Sequence, residues 1–159
     1  MKLAALLVAS LAAVGSHAFE TVAHRAPPGR GPAAPRVFLA VRSSELGRFL
    51  PYLAAADRAR VRTVSLPPRA VVAVFRGEVP SGGHSITIRR LEIAGGRLRV
   101  VAAVRAPGPD ELVTQAITTP YHVVSLARAS LGSRLPTAWI LRDTRGQLLA
   151  TGVFPVRPL

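Results

Sequence analysis

Cysteine is absent from this 159-residue chain. Its absence excludes disulfides, thiolate metal sites, cysteine nucleophiles and a lipid-modified cysteine behind an export signal, so the fold must hold without covalent staples. Lysine is nearly absent as well: Lys2 stands alone, and every other basic residue is arginine. Aromatic residues make up only 5%. A core must therefore be built from Val, Leu, Ile and Ala, which favours strands, where β-branched side chains pack well. No apolar run reaches the roughly 20 residues of a membrane-spanning helix. What the chain does have is a 49% hydrophobic share, ordinary for a globular protein and enough for one core.

The longest apolar run, Leu3 to Val14, follows Lys2 and the amino terminus. Gly15 breaks it, and Ser16-His17-Ala18 places small residues where a signal peptidase reads. A basic start, an apolar stretch of this length and a small-residue site form the secretory pattern. The expectation is a signal peptide over residues 1–18, cleaved after Ala18. It would leave a soluble protein, periplasmic or secreted, with no integral membrane anchor. Residues 19–36 carry Pro27, Pro28, Gly29, Gly31, Pro32 and Pro35 without apolar periodicity. They read as a flexible Pro/Gly-rich linker. The rest, residues 37–159, reads as a single β-rich domain.

Within that domain Val37–Val41 is a short strand. Ser43-Ser44-Glu45 resembles a helix start, followed by Leu46, Phe49, Leu50 and Leu53 at helical spacing. Pro51 should divide this into two short pieces. Ala70–Phe75 is apolar at both parities, as in a strand covered on both faces. In His84–Ala94, Ile86 and Ile88 share one parity and Leu91 and Ile93 the other. A β-bulge near Arg89-Arg90 would point all four inward. Gly95-Gly96 makes a hairpin turn into the strand Arg97–Arg105, with Leu98, Val100, Ala102 and Val104 inward. Tyr121–Leu126 is a further strand, and Thr137–Asp143 with Gln147–Phe154 a last hairpin. Leu112–Thr119 is ambiguous. The expected fold is mainly β with one or two short α-helices (α+β), an antiparallel sheet or small sandwich of about seven strands.

Chemistry is sparse. After cleavage three histidines remain, His24, His84 and His122, with no carboxylate pattern beside them, whereas zinc needs three or four convergent ligands. No Gly-x-Ser-x-Gly elbow occurs. The adjacent pair Asp110-Glu111 lies in a Pro/Gly loop, where carboxylates are simply solvated. No catalytic, metal or cofactor residue is assigned, and the expectation is a protein that is not an enzyme; an unrecognised secreted hydrolase is the alternative an active-site cleft would support. Behind Ala18 the chain holds 20 Arg against 8 acidic residues. That excess fits an electrostatic binder of anionic envelope polymer or nucleic acid. It also fits an Arg-, Ala-, Pro- and Gly-rich composition with no dedicated site, since the arginines are scattered and no aromatics interleave to stack bases.

Two segments resemble a known module. Val71–Phe75, Arg76, Gly77, Pro80-Ser81-Gly82-Gly83-His84 and the strand to Ile88 form the first; Thr119-Pro120-Tyr121-His122-Val123-Val124 forms the second. Their order and spacing resemble the C-terminal domain of the protease complex subunit PrcB family, over roughly residues 69–126. Position 84, usually tyrosine in that family, is histidine here. The resemblance implies an exported accessory subunit that associates with and stabilises an extracytoplasmic protease complex, without catalysis. Its partner would be another envelope or extracellular protein, such as a protease. Read from the residues alone, Gly82 and Gly83 serve a turn, and Tyr121 is a half-buried packing residue.

Overall fold

A computed structural model describes residues 15–157. The apolar stretch of the expected export signal, residues 3–14, lies outside the described residues. Eight strands form two four-stranded sheets. The first sheet has β1 (Glu20–Arg25), β6 (Tyr121–Ala127), β3 (Arg69–Phe75) and β2 (Arg36–Ala40) side by side, all antiparallel. The second has β4 (Ser85–Ala94), β5 (Arg97–Arg105), β7 (Ala138–Asp143) and β8 (Leu148–Val153).

The sheets meet face to face over one apolar core. Val72, Val74, Val124 and Leu126 of the first sheet pack with Ile88, Leu91, Leu98 and Leu141 of the second. The other face of the first sheet is also covered. Two short 3-10 segments, Ser43–Arg48 and Leu50–Tyr52, and the helix α1 (Ala55–Arg62) bring Leu46, Phe49, Leu53 and Val61 onto Val71, Ala73, Phe75 and Tyr121. This is why β3 and β6 are apolar at both parities: each lies inside its sheet and between two layers. β5 alternates, with Leu98, Val100 and Ala102 buried and Arg97 and Arg99 exposed, because its outer face meets solvent.

The expected bulge is present. The β4–β5 register slips between Ile88 and Arg90, so Ile88 and Leu91 are both buried. Gly95 and Gly96 turn the hairpin with positive φ. Pro51 stands at the start of its own 3-10 segment. Glu45 orders the turn before it: its carboxylate accepts hydrogen bonds from the Val41 and Arg42 amides and an Arg157 guanidinium bond at 2.7 Å.

The structure departs from the sequence reading in three places. Residues 19–36 are not wholly a linker: Glu20–Arg25 is a strand along the edge of β6, Ala23 is buried, and Phe19 packs against the inter-sheet core. Backbone pairing to an existing edge, which needs little apolar patterning, is what orders this polar segment. The folded domain therefore begins ahead of residue 37. The second sheet is not purely antiparallel, because β7 lies parallel to β5. Between them the chain crosses to the first sheet as β6 and returns, which supplies the long connection a parallel pair requires. Finally, Tyr121 is fully rather than half buried.

Candidate functional site

The motif residues gather at one end of the sandwich, where three loops meet. Val79 and Thr118 exchange backbone hydrogen bonds at 3.0 Å, which ties the turn after β3 to the segment before β6. Thr118 donates its hydroxyl to the Ser81 carbonyl, and the Gly82 amide donates to Thr114 at 2.9 Å. Thr119 joins the third loop: its amide donates to Pro27 and its hydroxyl to Gly29. The Arg76 amide donates to the Pro120 carbonyl at 3.0 Å. So Gly77, Pro80, Ser81, Gly82, Gly83, Thr119 and Pro120, far apart in sequence, share one loop cluster. The ambiguous segment Leu112–Thr119 is part of it as an irregular strap with a single bridge to each neighbouring loop.

Two glycines are needed there on steric grounds. Gly77 has φ +92°, and a Cβ on it would stand 2.9 Å from the Ala33 carbonyl oxygen. Gly83 has φ +80°, and its Cβ would meet Val113 at 2.7 Å and Pro107 at 2.9 Å. Gly83→Ala should therefore cost about 2 kcal/mol of stability through φ strain and overlap. Gly108→Ala in the neighbouring loop should stay within about 0.5 kcal/mol, because open space surrounds it and its φ lies outside the left-handed region. Urea unfolding of both variants checks this; equal losses would remove the steric account.

Tyr121, last of the motif, is not at the loop surface. It lies between the first sheet and α1, where its hydroxyl donates to Asp57 at 2.7 Å and accepts from the Ala54 amide at 3.1 Å. Burial and the hydrogen bond to the Asp57 carboxylate push the phenol pKa up to about 12. Asp57 also pairs with Arg25 of β1 at 2.8 Å and Arg60 at 3.4 Å. This buried carboxylate is 64 positions from Tyr121, and no local pattern marked it.

His122 and His24 are paired neighbours across β6 and β1, with ring centroids 4.6 Å apart. The Ile88 amide, freed at the β4 bulge, donates to His122 Nδ1 at 2.8 Å. Nε2 therefore carries the proton and donates to the Thr21 hydroxyl at 2.8 Å. His24 Nε2 donates to the Ile86 carbonyl. The two rings stitch the first sheet to the second. Burial, then the neighbouring His24 and Arg89, lower the His122 pKa to about 4. His84 stands apart from this pair, in the loop cluster near Arg76 and Arg105. No group of three or more His, Asp or Glu placed to hold a metal occurs among the described residues.

A second concave surface lies elsewhere. β2 and β8 end their sheets, and between them runs a groove of about 810 Å³ lined in part by Phe38, Leu39, Trp139, Val153 and Phe154. Val153 is 76% exposed there. Asp110-Glu111 sits in the loop after β5 as expected, though Glu111 is engaged by Arg105 at 2.6 Å. Ala18, the expected cleavage position, is exposed immediately ahead of β1. Among the described residues no helix is long and apolar enough to cross a membrane.

No curated protein and no solved structure matches the chain. Residues 70–127 match the family model for PrcB C-terminal, a span that runs from β3 to the end of β6 and takes in both motif segments, so the family resemblance read from those residues is borne out over this core of the sandwich.

Proposed function

We propose that the protein is an exported, non-enzymatic interaction module that associates with and stabilises an extracytoplasmic protease complex. The match of residues 70–127 to the PrcB C-terminal family carries this reading. The secretory pattern of residues 1–18 supports export, and the sparse catalytic chemistry of the sequence supports a binding role. Two surfaces suit a protein partner. One is the loop cluster around Pro80–His84. The other is the groove between β2 and β8, whose free strand edges could take an extended segment by main-chain pairing.

The test is affinity capture. The chain, expressed from its full sequence with a carboxy-terminal tag, is recovered from envelope and culture fluid and washed at low and then high salt. The expected result is one specific protein, a protease or protease-bound subunit, that survives the high-salt wash. Recovery of nucleic acid or acidic polymer alone, all lost at high salt through counterion uptake, would replace this reading with the electrostatic one.

A further inference from the structure

At the loop end of the sandwich, acidic partners are unevenly distributed. Arg30 pairs with Glu78 at 3.2 Å. Arg105 pairs with Glu111 and also donates to the Gly83 carbonyl. Arg76, the residue directly after β3, pairs with no carboxylate among the described residues, and its Nε is buried without a hydrogen-bond partner. Its side chain is half-buried. His84 lies in the same place and has the same deficit: its Nδ1 is buried and unpartnered. Native proteins leave few buried polar atoms unsatisfied, and an absent ion is one of the recognised reasons. A guanidinium Nε held out of water without an acceptor costs free energy that an opposite charge beside the group offsets.

We propose that Arg76, His84 and Arg105 form a carboxylate-binding site at this end of the sandwich, filled by an acidic side chain of a protein partner. The guanidinium offers planar paired donors that match a carboxylate. Arg105 is also near His84 and already holds one carboxylate, Glu111, the same chemistry as the proposed ligand. The charged groups facing His84 are Arg76 from the end of β3 and Arg105 from the end of β5, with Glu111 on Arg105. Burial, then these two cations, lower the His84 pKa, and burial lowers that of Arg76. An arriving carboxylate reverses the balance at His84 and favours its protonated form. Binding and proton uptake are therefore linked, and affinity rises as the pH falls toward the His84 range. That the carboxylate comes from a protein rests on the proposed function.

The test follows the His84 ring by NMR in the protein labelled with nitrogen-15 at histidine, titrated in chloride buffer alone, with acetyl-Gly-Glu-Gly-amide, and with inorganic phosphate. The peptide should raise the His84 pKa by about one unit and saturate, with His24 and His122 unmoved. Arg76→Gln should abolish the shift, and Arg76→Lys, which keeps the charge, should retain part of it and separate loss of the site from loss of the fold. No response of His84 to the peptide, a response indifferent to Arg76→Gln, or a response to phosphate alone would each overturn the assignment. The same variants in the capture experiment distinguish the two readings. A partner recovered equally by Arg76→Gln removes the carboxylate site and leaves the accessory role. A peptide response at His84 with no protein captured leaves the site and removes the accessory role.

Discussion

Asp57→Ala should lower the free energy of unfolding by about 2–4 kcal/mol. Asp57 is 0% exposed and joins three elements: α1 by its own position, β6 through the Tyr121 hydroxyl and β1 through Arg25. Alanine leaves the Tyr121 hydroxyl without its acceptor inside the protein and opens a small cavity. The Arg25 bond adds less, because that side chain is 47% exposed and water screens the pair. Tyr121→Phe keeps the ring and should cost about 1–2 kcal/mol, since the Ala54 amide loses its acceptor and Asp57 a donor. The two losses should not add. With the phenol absent, Asp57→Ala removes a carboxylate already short of a partner, so a double-mutant cycle should show coupling. Urea unfolding of the four proteins provides the numbers. Additive losses would mean that Asp57 acts through Arg25 and Arg60 and not through Tyr121.

Acid should weaken the fold well before its carboxylates protonate. His122 titrates near 4 in the folded protein against an ordinary 6.5, so below neutrality the unfolded chain binds the extra proton first. The contribution is complete above pH 6.5 and is lost as the pH falls from 6.5 to about 4, reaching about 3 kcal/mol. The cause is geometric: Nδ1 must stay unprotonated to accept the Ile88 amide, and a proton there breaks the link between β6 and β4. His24 and Arg89 oppose the added charge further. His122→Asn, which offers an amide oxygen near the place of Nδ1, should remove most of this slope. Urea midpoints measured from about pH 7.5 to 4 for both proteins check it, and parallel slopes would sink the assignment. Glu45 contributes in a lower range. Burial alone would raise its pKa, but the Val41 amide and Arg157, with the Arg42 amide, outweigh that and hold it below the ordinary carboxylate value. Its share is present above that value and lost below it, as the pH falls through the depressed folded pKa, which keeps the two effects apart.

The local pattern of residues determined much of this fold, because it records which faces of an element are covered. Two-sided apolarity in Ala70–Phe75 marked a strand lying between two layers. The parity change between Ile88 and Leu91 marked the bulge, and Gly95-Gly96 the hairpin. The Pro80–Gly83 and Thr119–Tyr121 segments carried the family resemblance by their residues and spacing alone. Other features rest on what meets what, and local spacing holds no record of that. Glu20–Arg25 becomes a strand because β6 presents an edge, not because its own side chains alternate. β7 runs parallel to β5 because the chain spends β6 in the other sheet. Asp57 finds Tyr121 and the Ile88 amide finds His122, each across a long stretch of sequence, and Arg76 meets His84 with no carboxylate paired to Arg76 among the described residues. Charge and hydrogen bonding act through space, so only the tertiary structure decided which polar groups are satisfied and which are left waiting for a partner.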